Sequence, residues 1–290
     1  MSACEFNYTP NEYKSDLKPV WCPGCGDFGV LNSLYRAMSD LRLEPQDTVV
    51  VSGIGCSSRL PGYVETYGFN SLHGRALPIA TGIKLANPKL NVVVVGGDGD
   101  GIAIGGNHFM HAARRNTDLV YVMMDNEIYG LTKGQAAPTT PLGDKTKSTA
   151  YGNPEAGIDP CALAISFGAT WVGRGFSGDI KGTTELMKAA VSHRGFAFLN
   201  VMSPCVTWRG DDQTKEIRAK VRALPEDHDR TSRPSALTFT NEDGIVTTGI
   251  LYEVKHPTLV DEMVEIATKA TTGRPQATKA DMLKVFTPRF

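Results

Sequence analysis

Short apolar runs recur along the chain, separated by stretches with helical periodicity. Residues 47–52, 91–96, 118–125, 169–173 and 196–203 are runs of strand length. The run 91–96 is rich in valine and continuous instead of alternating, the pattern of a strand buried on both faces. Residues 27–39, 79–86, 101–116, 159–168 and 179–193 read as helices. Within 101–116, Ile104, His108, His111 and Ala112 fall at helical spacing, and Arg114 and Arg115 occupy the last turn, where they complement the helix dipole. Strands alternating with helices predict an α/β fold: a mostly parallel sheet with helices on both faces. The strand at 196–203 is expected to be the last of that sheet. Residues 1–20 are polar, contain Pro10 and Pro19, and read as an arm. Residues 136–158 form a long Pro-, Thr- and Gly-rich loop, of a kind that is more often functional than accidental. Residues 211–235 carry charges of both signs, as a solvated helix and linker do. The expected division is a cofactor-binding domain over 1–210 and a C-terminal extension over 211–290, with a helix at 259–268, packing on the domain or on a partner. No repeat and no second core is visible.

Candidate chemistry gathers on one rim. In open α/β sheets ligands bind at the carboxyl ends of the strands, which puts Gly97-Asp98-Gly99-Asp100 beside Asp125-Asn126. The turn is not GxGxxG, because position 104 is Ile. Asp98 among the glycines would repel a bare pyrophosphate, by roughly 1 kcal/mol at about 4 Å in water and roughly 4 at an effective dielectric of 20. A divalent cation reverses that sign, and Mg²⁺ is typically held by one or two carboxylates with phosphate oxygens and water. Asp98 and Asn126 supply one anionic and one neutral oxygen. The pair resembles the GDG…N signature of thiamine diphosphate enzymes, whose Mg²⁺ is completed by a backbone carbonyl two residues on, here Ile128. An EF-hand fails because Ile102 and Phe109 occupy ligand positions. An ordinary turn, or a nucleotide site with Asp125 as the ribose acid, remains a competing reading at this point.

Composition and charge narrow the partners. The chain has 290 residues, 41% hydrophobic and 21% charged, with a net charge of −1. That balance gives no reason to expect nucleic acid or an anionic membrane surface. No apolar run approaches the roughly 18–20 residues of a membrane span, and the first ten residues lack the pattern of a secretory signal, so a cytoplasmic location is expected. Six cysteines in that compartment are thiols or metal ligands. Cys22-Pro23-Gly24-Cys25 fits a redox dithiol, a zinc half-site or half an iron–sulfur site, and alone does not choose. Cys56 and Cys205 each follow a predicted strand, so Cys22, Cys25, Cys56 and Cys205 can converge on the same rim. Cys161, with Ala164, Ile165 and Gly168 on the inner face of a short helix, reads as a small core residue. Cys4 reads as a free thiol in the arm.

Taken in order, WCPGCGDFG, GIGCSS, LHGRALPIATGIKLANP, GGDGDG, DNEIYGLTKGQ and SPCVT resemble the β subunits of 2-oxoacid:ferredoxin oxidoreductases. The resemblance runs from Trp21 to Trp208 and is specific because the motifs keep the family's order and spacing. The GLTKGQ and SPCVT forms are most similar to members acting on 2-oxoglutarate or on a broad range of 2-oxoacids. What the resemblance implies is a thiamine diphosphate-binding fold holding thiamine diphosphate, Mg²⁺ and one [4Fe–4S] cluster. It matches Cys22, Cys25, Cys56 and Cys205 to the cluster, though four cysteines also satisfy zinc. It matches Asp98, Asn126 and Ile128 to Mg²⁺, and Ile54, Gly55, Cys56, Ser57, His73, Gly99, Asp100, Gly130 and Leu131 to the cofactor. Lys133 matches a basic residue facing the substrate carboxylate, and His73 is the other catalytic candidate. The implied reaction is oxidative decarboxylation of a 2-oxoacid, with coenzyme A taking the acyl group and ferredoxin the electrons. The implied partner is an α subunit, in a heterodimer or a dimer of heterodimers, that supplies the glutamate thiamine enzymes need. Glu65 and Glu127 lie in no motif for that role and are expected to be surface carboxylates. His108 and His111 are expected to be packing or structural groups. A non-catalytic electron-transfer subunit and a nicotinamide dehydrogenase are the alternatives. Asp98, Asn126 and the absence of GxGxxG argue against the dehydrogenase.

Overall fold

The computed structural model describes residues 8–240, 244–273 and 278–281; Cys4 lies outside them. Helix α1 (Asp27–Asp40) precedes strand β1 (Thr48–Ser52), a 3-10 segment (Ser57–Tyr63) and strand β2 (Tyr67–Asn70). Helix α2 (Ala76–Ala86), strand β3 (Asn91–Gly97), a π-helical turn (Gly99–Ile104), helix α3 (Gly106–Arg114) and strand β4 (Leu119–Asp125) follow. Strands β5 (Ile128–Tyr129) and β6 (Gln135–Ala136) form a small antiparallel hairpin. Then come α4 (Pro160–Phe167), β7 (Trp171–Phe176), α5 (Ile180–Ser192) and β8 (Phe196–Met202). The rest holds α6 (Val206–Arg209), α7 (Gln213–Lys220), β9 (Val221–Ala223), α8 (Arg233–Thr238), β10 (Val246–Glu253) and α9 (Leu259–Thr271).

The main sheet runs β2-β1-β3-β4-β8-β7-β10-β9. Its neighbours are parallel except for β10 against β7. The central strands are continuous apolar runs because both faces are covered. On β4, Tyr121 and Met123 enter the core on one side and Val120, Val122 and Met124 the core on the other.

The structure departs from the sequence reading in four places. Strand β8 is not the last of the sheet, because the chain beyond residue 210 returns to add β10 and β9 at its edge. Strand β2 is exposed along its whole length, so it carries no burial pattern to read. The helix expected over 101–116 is split, with a wide π turn before α3. Gly105 permits this: a Cβ there would lie 2.5 Å from the Asp100 carbonyl oxygen. Helix α2 starts at Ala76 and takes Pro78 into its first turn, where no backbone N–H is needed. The arm, for its part, is seated on the domain: Tyr13 is fully buried and its hydroxyl donates to the Met38 and Leu43 carbonyls.

Away from the glycine turns, Asn116 ties the C-terminal segment to the sheet. Its φ is +48°, a conformation asparagine tolerates better than most residues. Its Oδ1 accepts from the Phe196 N–H (2.8 Å) and the Thr170 hydroxyl (2.7 Å), and its Nδ2 donates to the His256 and Pro257 carbonyls (3.1 and 3.0 Å). Asn116→Ala leaves the buried Phe196 N–H unpaired, which costs roughly 1–3 kcal/mol. The expected result is a lower urea midpoint with an unchanged m-value; a wild-type midpoint would remove the carboxamide from the list of structural contacts.

Candidate functional site

Asp98 leaves β3 at the head of the π turn and is 2% exposed. The turn presses onto the hairpin: the Tyr129 hydroxyl donates to the Gly99 carbonyl (3.0 Å), and a Cβ on Gly99 would lie 2.3 Å from the Tyr129 ring. Only glycine fits there. Asn126 and Ile128 follow β4, and the Asn126 Oδ1 accepts from the Ile128 N–H (3.0 Å). Between them Glu127 has a φ of +60°. Asp98, Asn126 and Ile128 line a cavity of about 150 Å³ together with Ile54, Gly55, Cys56, Ser57, His73, Gly99, Asp100, Gly130 and Leu131. Every residue matched to Mg²⁺ or to thiamine diphosphate is therefore in one wall.

The charges in this wall are answered unequally. One oxygen of Asp100 accepts from the Ile54 N–H (3.0 Å) and the Gly74 N–H (2.7 Å), and His73 Nδ1 lies 2.6 Å from it. Its other oxygen lies where a Cβ on Gly53 would sit, only 2.0 Å away. Asp100 thus fastens two loops and orients the His73 ring, which is 39% exposed and faces the cavity. Asp125 accepts from the Asn200 Nδ2 (3.2 Å), and burial pushes its carboxyl up. Asp98 accepts from the Thr139 hydroxyl, and burial followed by the nearby Asp125 charge pushes its carboxyl well up. The Glu127 N–H also donates to Asp125 (3.3 Å), and two neighbouring buried carboxylates, with the Asn126 side-chain oxygen and the Ile128 carbonyl in the same wall, suit a hard cation with oxygen ligands. The donor set fits Mg²⁺.

The thiols ring a second cavity. Cys22, Cys25, Cys56 and Cys205 line a space of about 220 Å³ with Trp21 and Trp208 among its other walls. Among the described residues, no three cysteine, histidine or acidic side chains close on one point as ligands of a single ion would; these four surround a space. A Cβ on Gly130 would lie 3.7 Å from both the Cys56 and Cys205 sulfurs. Burial pushes the Cys25, Cys56 and Cys205 thiols up, Cys56 to about 11, and Asp27 raises Cys25 and Cys56 further. Such thiols stay protonated until a metal draws off the proton. The two cavities share Cys56, Asn126, Gly130 and Leu131.

Other expectations sort clearly. Cys161 is fully buried in the core, Glu65 is exposed, and His111 Nδ1 accepts from the Arg114 Nε (2.8 Å). Lys133 is exposed at the tip of the β5–β6 turn, with a φ of +79°, and does not line the cavity. Glu127 is not a surface carboxylate. The turn after β4 folds back beneath Arg209, whose Nη2 lies 2.7 Å from the Glu127 carboxylate. Burial and then Asp125 push Glu127 up to about 7, against the pull of Arg209. Thr139, Arg209 and Gln213 also escaped the sequence reading. Thr139 at least lies in the long loop singled out as functional; the other two have no local signal.

Known proteins share both the motifs and the architecture. Residues 53–201 match the thiamine pyrophosphate enzyme, C-terminal TPP binding domain, and residues 205–268 match the C-terminal domain of the pyruvate ferredoxin oxidoreductase beta subunits. The 2-oxoacid:ferredoxin oxidoreductase 2, subunit beta, of Aeropyrum pernix is 41% identical over 90% of this chain and 81% of its own. The 2-oxoglutarate synthase subunit KorB of Methanocaldococcus jannaschii is 38% identical over 87% and 94%. The solved 2-oxoglutarate:ferredoxin oxidoreductase from Magnetococcus marinus, with 2-oxoglutarate, coenzyme A and succinyl-CoA bound, superposes with a TM-score of 0.93 at 42% identity. It covers 99% of this chain and 98% of the matched one. Sequence motifs, sheet order and paired cavities thus lead to one assignment: the chain belongs to the family of 2-oxoacid:ferredoxin oxidoreductase β subunits.

Proposed function

We propose that this chain is the β subunit of an enzyme that oxidatively decarboxylates a 2-oxoacid, 2-oxoglutarate first among them, giving acyl-CoA, CO₂ and reduced ferredoxin. The observation that carries the reading is the shared wall between the two cavities. Relatives named for 2-oxoglutarate and the bound 2-oxoglutarate, coenzyme A and succinyl-CoA of the Magnetococcus marinus structure support the choice of acid.

Thiamine diphosphate supplies the electron sink that decarboxylation requires. In this reading Asp98, Asn126 and the Ile128 carbonyl would hold Mg²⁺. Gly99 of the π turn lines the same cavity, its carbonyl held by the Tyr129 hydroxyl (3.0 Å). His73, held by Asp100, lines the cavity, and the buried Ile128 gives the cavity an apolar wall. Cys22, Cys25, Cys56 and Cys205 would hold a [4Fe–4S] cluster, for which four thiolates in a ring around a space are suited. Among the described residues of the cavity wall there is no glutamate, so the α subunit supplies that carboxylate. Exposed Ile54, Leu72 and Leu131 around the mouth give such a partner an apolar seat. A cytoplasmic setting, where thiols stay reduced, belongs to the same reading, and no described helix is long and apolar enough to cross a membrane. Residues 1–210 carry the cofactors, and the outer face of α9, with Met263, Val264 and Ile266 exposed, is available to the partner.

Substitutions at three places test it: Asp98, the cysteines and Lys133. Asp98→Ala should abolish Mg²⁺-dependent retention of thiamine diphosphate while the fold survives. Calorimetric titration with the α partner present decides, and unchanged affinity sinks the assignment. Serine at Cys22, Cys25, Cys56 or Cys205 should lower iron content and visible absorbance, whereas Cys4→Ser and Cys161→Ala should not. Iron loss that followed Cys161 instead of Cys56 would give a different ligand set. Lys133 stands free on the hairpin, where its ammonium can meet a substrate carboxylate. A charged hydrogen bond of that kind contributes roughly 1.5–3 kcal/mol, or about ten- to over a hundred-fold in rate. Lys133→Ala should therefore lower kcat/KM for 2-oxoglutarate at least ~10-fold with cluster and cofactor retained. A larger loss for 2-oxoglutarate than for pyruvate assigns it to the distal carboxylate, equal losses to the C1 carboxylate; full activity on both acids returns Lys133 to the surface.

A further inference from the structure

Gln213 opens α7, in a stretch whose composition reads as solvated, yet it is 3% exposed. Its carboxamide points in two directions at once. The Oε1 accepts from the backbone N–H of Cys205 (2.7 Å), and the Nε2 donates to the backbone carbonyl of Asn126 (3.4 Å). One neutral side chain thus bridges a proposed cluster ligand and a proposed Mg²⁺ ligand. A second, independent tie runs in parallel. The Arg209 N–H donates to the Cys205 carbonyl (2.9 Å), and its guanidinium pairs with Glu127, the residue after Asn126. Both backbone polar groups of Cys205 are therefore held by residues that also hold the loop after β4.

We propose that Gln213 is a positioning residue that clamps Cys205 to Asn126 and so fixes the spacing across which electrons leave the thiamine site for the cluster. The inference rests on the cofactor assignment above. The net reaction sets what must cross: a 2-oxoacid, coenzyme A thiol and two oxidised ferredoxins give acyl-CoA, CO₂, one proton and two reduced ferredoxins. The C1–C2 bond breaks, the coenzyme A S–H bond gives up its proton as the thioester C–S bond forms, and the two electrons would pass singly through a cluster held by Cys22, Cys25, Cys56 and Cys205. Each passage depends on the same separation, and a carboxamide carries its acceptor and its donor on separate atoms of one uncharged group, so it can bridge two backbone sites.

The test uses the complete α–β enzyme and a single turnover without ferredoxin, following cluster absorbance and CO₂ release separately. Gln213→Met keeps the length and loses both hydrogen bonds. It should slow cluster reduction at least ~10-fold, with CO₂ release, iron content and thiamine diphosphate affinity near wild type. Gln213→Glu still accepts from Cys205 and, read at a pH high enough to ionise it, has nothing to donate to Asn126; it should also slow cluster reduction, and with its own midpoint potential read alongside it carries the test should Gln213→Met assemble too little iron. The cluster's midpoint potential, followed by electron paramagnetic resonance, separates spacing from tuning and should stay put in Gln213→Met. Wild-type cluster reduction in Gln213→Glu, or a potential shift that accounts for the slowing, overturns the clamp. Wild-type enzyme lacking iron or thiamine-dependent CO₂ release instead overturns the cofactor assignment, and the clamp with it.

Discussion

Three carboxylates buried close together at the carboxyl rim of the sheet constrain everything built around them. Taking a carboxylate out of water costs several kcal/mol unless something compensates, and Asp98, Asp100 and Asp125 are all nearly inaccessible. Asp100 is met by two backbone N–H groups and the His73 ring. Asp125 is met by Asn200 and the Glu127 N–H and helped by Thr139. Asp98 has the Thr139 hydroxyl and the Gly99 backbone, and of the three it is the one that, besides burial, the neighbouring charge of Asp125 pushes up. It is the member of the set whose surroundings most favour a cation. The same arrangement explains the glycines. Gly53 and Gly96 stand where a side chain would meet the Asp100 carboxylate, with a Cβ only 2.0 Å and 3.2 Å from one oxygen.

How much of this was legible in the sequence follows from whether a residue's partners are near it in the chain. The central strands announce themselves because burial on both faces leaves an unbroken apolar run, as in 92–95. The placing of the Asp98 turn and of Cys22, Cys25, Cys56 and Cys205 on one rim was legible because each position follows from a nearby strand or turn, whereas Cys-x-x-Cys alone does not say what the cysteines hold. Strand β2 was not, since an exposed edge strand has no burial pattern, and β10 was not, since its pairing with β7 crosses about seventy residues. Gln213 and Arg209 are the clearest misses. Charged neighbours make the stretch of Gln213 read as solvated, Arg209 stands just before it in no motif, and both make their contacts with Asn126 and Glu127, more than eighty residues earlier. Composition describes a residue's neighbours in sequence; burial is decided by its neighbours in space.

The wall the cavities share decides what chemistry the site can do, and Gly130 is its thinnest point. Glycine is often explained by a positive φ, but Gly130 is not among the residues with one, whereas Gly134, at the other end of the same turn, has a φ of +97° and packs against Trp208. A methyl group at Gly130 would meet the sulfurs of Cys56 and Cys205 at 3.7 Å, an ordinary contact, so alanine fits there and a longer side chain would reach into the space the thiols line. Cys56 reinforces the point, since the turn after β1 gives one cavity its backbone and the other its sulfur. A two-electron oxidation beside a one-electron acceptor works when little stands between them. Here the chain places a glycine at that boundary and holds the flanking loop from behind with Gln213 and Arg209.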